Sequence, residues 1–118
     1  MLDPNTFAVN WIAAWNTRDL LAVLSMFADG VRFSSPKAPN GQTNGKAELA
    51  AYWSAALDKI PNLRFDLIEA QATANQIFIH YQATLNETTY RALELFTFRP
   101  DGLVEEAHAF YGAILITK

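Results

Sequence analysis

The sequence predicts an α+β domain in which one curved sheet wraps around helices and encloses a pocket. Three observations carry this reading. Apolar residues recur at helical spacing through much of the first sixty positions. Period-two segments joined by turn signals fill the remainder. Helices that precede hairpin-linked strands make antiparallel pairing the natural arrangement.

The elements follow in order. Asp3-Pro4 opens the first helix, the aspartate capping free amides and the proline suiting the first turn. Phe7, Trp11 and Trp15 recur every four residues with Ala8 and Ile12 beside them, so one face is apolar and aromatic. Asn16-Thr17 interrupts the pattern, and either residue can cap a second helix that buries Leu20, Leu21, Val23, Leu24 and Phe27. Ala28-Asp29-Gly30 is expected to stop that helix. Val31 to Ser35 alternates as a short strand closed by Pro36, and residues 37–44, rich in Pro, Gly and Asn, form an exposed loop. Lys46 to Ile60 is helical again, with Leu49, Tyr52, Trp53, Ala56, Leu57 and Ile60 on one side, and Pro61-Asn62 ends it. Strands are expected at Arg64–Ala72, Gln76–Asn86 and Tyr90–Arg99, turning at Thr73-Ala-Asn75 and Glu87-Thr-Thr89. After the turn Pro100-Asp101-Gly102 a last strand runs from Leu103 to Thr117.

Composition bounds the function. The 118 residues, 51% hydrophobic and 18% charged, suffice for one domain, 1–118, with a real core. A net charge of −3 with nine scattered Lys and Arg argues against nucleic acid as a partner. With no cysteine, the chain lacks disulfides, thiol catalysis and cysteine-ligated metal. The start Met-Leu-Asp-Pro has no basic leader region, and no apolar run approaches the ~18 residues of a membrane span. A cytoplasmic protein with no membrane partner is the expectation.

The order of elements, with Trp15-Asn-Thr-Arg-Asp-Leu, Phe27-Ala-Asp-Gly-Val-Arg-Phe-Ser-Ser-Pro36, Asn44-Gly-Lys and Phe98-Arg-Pro-Asp-Gly-Leu-Val-Glu-Glu106, resembles the nuclear transport factor 2-like superfamily. Within it the chain is most similar to the SnoaL-like polyketide cyclases and the ketosteroid isomerases. The resemblance covers nearly the whole chain. It implies a cone-shaped, cystatin-like fold, a bent antiparallel sheet around three helices with a central pocket, in a homodimer packed through the sheet. It fixes the activity poorly, since the superfamily hosts isomerases, cyclases, hydrolases, dehydratases and silent binding modules.

Position by position, the resemblance implies reacting groups that are largely missing. Trp11 stands where the isomerases place a tyrosine that donates to the enolate, and Ser35 where they place the general-base aspartate. Gly112 matches the essential aspartate of the cyclases. Glu94 alone falls on an expected acid, on the penultimate strand. A serine is no carboxylate base at neutral pH, and an indole is a poor substitute for a phenol. Neither the isomerase nor the usual cyclase mechanism is supported as it stands.

One other constellation offers itself. In the strand around His80, Ile77, Ile79, Tyr81, Ala83 and Leu85 share one face and Phe78, His80, Gln82 and Thr84 the other. In the next strand Tyr90, Ala92, Glu94, Phe96 and Phe98 share a face. The family likeness implies that the His80 and Glu94 faces both point into the cone. His80 and Glu94 would then be proton carriers with Gln82 orienting, for acid/base isomerisation, cyclisation or dehydration of a small hydrophobic carbonyl compound. Trp11, Trp15, Ser35, Trp53, Phe96 and Tyr111 would line the ligand's side of the pocket.

The blander readings are a half-exposed strand with His80, Gln82 and Thr84 in water, and tryptophans that are simply core. His108, out of parity with Tyr111, belongs on a surface or a dimer interface. Arg18-Asp19 would fix the junction of the first two helices, and Asp101 and Glu105-Glu106 would be solvated charge. No cofactor or metal is implied. A non-catalytic small-molecule-binding module and a packed dimerisation domain compete with the enzyme; a cavity too small for a ring-sized molecule would favour the last.

Overall fold

The computed structural model describes residues 3–117; Met1 and Leu2, read above for a leader, lie outside them. Helix α1 (Pro4–Asn16) starts as the sequence indicates, with the Asp3 carboxylate accepting from the Thr6 amide at 2.9 Å. Helix α2 is one short stretch, Leu20–Leu24, and its cap is Asp19, which accepts from the Ala22 amide at 3.1 Å. The expected cap, Asn16, is used elsewhere. Its side-chain amide donates to the Phe65 carbonyl and accepts from the Phe65 amide, both at 2.8 Å, tying α1 to the sheet. Thr17 bonds back to the Ala13 carbonyl.

Strand β1 (Phe27–Ser34) absorbs Ala28-Asp29-Gly30, which was expected to stop α2. A helix this short buries Val23 and Leu24 but leaves Leu21 81% exposed, and Phe27 packs from the strand instead. The segment expected as a loop contains a single turn of tight helix at Pro39–Gly41 and a short strand β2 (Gln42–Asn44), which pairs antiparallel with the end of β1. Helix α3 (Lys46–Lys59) follows, and the Arg18 guanidinium donates to the carbonyls of Leu57, Ile60 and Pro61 at its end. A cation on the free carbonyls of a helix terminus satisfies acceptors that have no partner within the helix. Arg18 thus clamps the α1–α2 junction onto α3, a wider role than the one expected of it.

Strands β3 (Arg64–Ala72), β4 (Gln76–Leu85), β5 (Thr88–Phe98) and β6 (Val104–Thr117) complete a curved six-stranded sheet in the order β2-β1-β6-β5-β4-β3. The sheet departs from the expected antiparallel pattern at one seam, where β1 and β6 run parallel. That seam joins the first and last long strands across the whole chain, so no hairpin dictates its direction. The core lies between the helices and the concave face, an aromatic cluster in which Trp11 stacks on Phe65 at 5.4 Å and meets Phe96 edge-on at 5.5 Å.

Candidate functional site

The β4–β5 hairpin decides what enters the cone. Its turn is the two residues Asn86-Glu87, with Asn86 at a φ of 60°, so Leu85 pairs with Thr88, Ile79 with Glu94 and His80 with Leu93. Directly paired residues share a face. Ile77, Ile79, Tyr81 and Ala83 therefore point inward with Glu94, Phe96 and Phe98, and all seven are buried. His80 and Gln82 point to the outer face, separated from Glu94 by the thickness of the sheet. The expected imidazole–carboxylate pair does not exist as a pair. His80 faces Glu69, 3.6 Å away, and lines an outer groove with Phe78, Arg91, Leu93 and Phe110.

Inside, Glu94 is 2% exposed. The Tyr81 hydroxyl donates to its Oε1 at 3.3 Å. Burial pushes the Glu94 carboxyl up to about 8, against a weaker downward pull from the Tyr81 hydrogen bond, so the group is largely protonated at neutral pH. Burial together with the nearby Glu94 also raises the phenols of Tyr81 and Tyr111, which stay neutral and able to donate.

Around Glu94 lies a cavity of about 60 Å³, and the residues bounding it include Trp11, Trp15, Ser35, Trp53, Tyr81 and Tyr111. Trp53 packs edge-on against Trp15 at 5.0 Å, and Ser35 is buried at the end of β1, close to Tyr52. Phe96, fully buried, backs the Trp11 ring. The cavity is well under half the size of an apolar cavity of ~150 Å³ that admits a benzene ring. Fused rings do not fit it. Its polar character is more informative. The indole N–H groups of Trp11 and Trp15 are buried with no acceptor among the described residues. A buried donor left unpaired costs about 1–3 kcal/mol, so this wall is suited to an oxygen-bearing occupant.

The structure therefore assembles Trp11, Trp15, Ser35, Trp53, Tyr111 and Glu94 around one space, places Phe96 behind it, and leaves His80 and Gln82 outside. Tyr81 and Lys37 were missed as site residues. Tyr81 was legible, since a tyrosine in a row of aliphatic side chains puts a hydroxyl into the core. Nothing in the loop sequence marked Lys37, which reaches the cavity's edge.

The outer face holds a second polar row. The Ser34 hydroxyl meets His108 Nδ1, His108 Nε2 meets Glu106 Oε1 at 2.7 Å, and Arg32 pairs with Glu106 Oε2 at 2.5 Å. Hydrogen bonds from Arg32 and His108 hold the Glu106 carboxyl below its ordinary range. His108 is on the surface side as its parity indicates, and Glu106 is more engaged than solvated charge.

Comparison with known proteins agrees with this fold. A family model described as a SnoaL-like domain matches residues 8–107. The crystal structure of a SnoaL-like protein of unknown function from Burkholderia thailandensis E264 is 40% identical and superposes with a TM-score of 0.84, over 93% of this chain and 95% of that one. An NTF-2 like protein from Burkholderia xenovorans LB400 gives a TM-score of 0.79 at 17% identity, covering 98% of this chain and 87% of that one. The epoxide hydrolase/cyclase-like enzyme SalBIII, which has a role in pyran ring formation in the polyether salinomycin, gives 0.81 at 15% identity, covering 96% and 95%. The last two similarities are of fold alone. No curated protein matches the chain.

Proposed function

We propose that this chain, which belongs to the SnoaL-like family, uses its inner cavity to bind the oxygen end of a small hydrophobic carbonyl compound and to enolise it through Glu94. The observation that carries the reading is a buried carboxyl in a cavity bounded by Trp11 and Trp15, whose buried indole N–H groups have no acceptor among the described residues. A neutral carboxyl can both give and take a proton. Its O–H proton passes to the carbonyl oxygen, the α C–H proton passes to the carboxylate oxygen left bare, and the carbonyl compound becomes its enol. Reversal with a solvent-exchanged proton regenerates the starting compound. This half of an isomerisation or dehydration needs no second base, which suits a site where Ser35 holds the base position. Trp11 and Trp15 would steady the developing charge on oxygen, while Trp53 packs the hydrocarbon and Phe96 supports the Trp11 ring from behind.

Hydrogen–deuterium exchange at the α-carbons of 2-butanone, followed by proton NMR in D₂O, tests this. The protein should accelerate exchange above the buffer rate and Glu94→Gln should abolish the acceleration. Exchange no faster than buffer contradicts the enzyme. The cavity's small size favours a second reading, a non-catalytic module whose interior is mainly packing. Neither binding nor exchange would support it, whereas binding without exchange would mark a small-molecule-binding module.

We also propose that the outer face is covered by a second copy of the chain, because Phe110 stands 51% exposed there and lines a groove with Phe78 and Leu93. Phe110→Glu should convert a dimer to a monomer in light scattering, and a parent protein that is already monomeric would overturn this.

A further inference from the structure

We propose that the occupant of the cavity is a short oxo acid, its carbonyl turned inward to Glu94 and its carboxylate held at the mouth by Lys37. This rests on the reading of Glu94 as the inner donor. Lys37 supplies the one cationic side chain among the described residues bounding the cavity, and Glu94 the one acidic side chain. The Lys37 ammonium lies 4.6 Å from the centre of the Tyr90 ring and 5.0 Å from that of Tyr111, held over aromatic faces. Among the described residues no carboxylate pairs with it, whereas Arg32, Lys46, Arg64 and Arg99 all have acidic partners. A cation so placed can exchange its aromatic contacts for a ligand's carboxylate.

Tyr111 connects the two ends. Its ring lies under the Lys37 ammonium, and its hydroxyl lies within electrostatic reach of Glu94. A molecule lying along Tyr111 therefore meets both groups. Deep in the cavity the donors free for a ligand include the indole N–H of Trp11 and Trp15 and the protonated carboxyl of Glu94, the Tyr81 phenol being engaged with Glu94. Such a lining recognises oxygen acceptors, and a cation at its edge selects those that carry negative charge.

The same arrangement accounts for the volume. If the carboxylate stays at the mouth, a carbonyl and one or two carbons are all that must enter about 60 Å³. Protonation of Glu94 removes the charge that would repel the anion, so affinity should fall as pH rises through the range in which this carboxyl ionises.

The test compares 2-oxobutanoate with 2-butanone, the neutral ketone of the same carbon count, by NMR titration of the folded protein. The parent should bind the oxo acid at least tenfold more tightly. Lys37→Gln should reduce the acid's affinity to that of the ketone while leaving the ketone's unchanged, and added salt should erode the preference. Equal affinities in the parent, a preference that survives Lys37→Gln, or no binding of 2-oxobutanoate would overturn the assignment. Glu94→Leu separates the two proposals, because it removes the inner donor and should weaken both probes. If it weakens neither while Lys37→Gln still removes the preference, the inner-donor reading falls and the carboxylate pairing stands.

Discussion

Two glutamates on opposite faces of the sheet show what surroundings do to one functional group. Glu94 on β5 points inward, is sealed among aromatic rings and has the Tyr81 phenol for its one side-chain hydrogen-bond partner among the described residues; its carboxyl rises to about 8. Glu106 on β6 points outward, hydrogen-bonds Arg32 and His108, and its carboxyl is lowered. Water and a guanidinium favour the anion, while packed hydrocarbon favours the acid. The inner face is therefore the place for a proton donor at neutral pH, and the outer face the place for fixed charge.

Packing should separate the faces most strongly. Trp11→Ala deletes a ring in contact with Phe65, Tyr81 and Phe96 and should cost about 3–5 kcal/mol in urea unfolding. His80→Ala on the outer face should stay within about 0.5 kcal/mol. Similar losses at the two positions would break the contrast.

Stability against pH comes next. The folded carboxyl of Glu94 titrates higher than the unfolded one, so between the two values the folded state binds more protons. The resulting stability is complete below the unfolded value near 4.5 and is lost as pH rises through about 8. Between pH 5 and 8 this group alone should remove on the order of 3–4 kcal/mol, at ~1.4 kcal/mol per unit. Unfolding curves across that range should show the decline in the parent and a flatter profile in Glu94→Gln; matching profiles would contradict it.

Tyr81→Phe removes the hydrogen bond that favours the Glu94 anion. The carboxyl should move further up, with a stability change of about 1 kcal/mol at pH 6. Smallest of all, Glu106→Gln should hardly move the unfolding midpoint at moderate salt, because exposed ion pairs are screened and contribute little.

Much of the fold could be read from the chain, because it rests on local signals. Asp3-Pro4 capped α1, the bounds of β3 matched its alternation, and Pro100-Asp101-Gly102 turned with Gly102 at a φ of 88°. What failed was decided by contacts remote in sequence or by a single residue. Asp29 and Gly30 look like a helix stop, yet Phe27 to Ser34 gains a parallel partner 74 residues away at Glu106 and becomes strand. The site turned on the β4–β5 loop. A three-residue turn at Glu87-Thr-Thr89 would set Gln82 opposite Glu94 and bring His80 inside. The actual two-residue turn pairs Ile79 with Glu94 and sends His80 out. The all-apolar row of Ile77, Ile79, Tyr81 and Ala83 was the better guide to the buried side, since Phe78 remains on the outer groove while Phe96 and Phe98 lie inside. Lys37 escaped notice because a loop residue has no periodicity to reveal where its side chain reaches.

The most direct test of the contrast is carbon-13 NMR titration of the glutamate side-chain carboxyls, with Glu94→Gln and Glu106→Gln supplying the assignments. The account predicts an inflection near 8 that vanishes in Glu94→Gln, and one below the ordinary glutamate range that vanishes in Glu106→Gln. An ordinary acidic inflection for Glu94 would mean that its surroundings do not hold the proton, and the inner face would lose its acid.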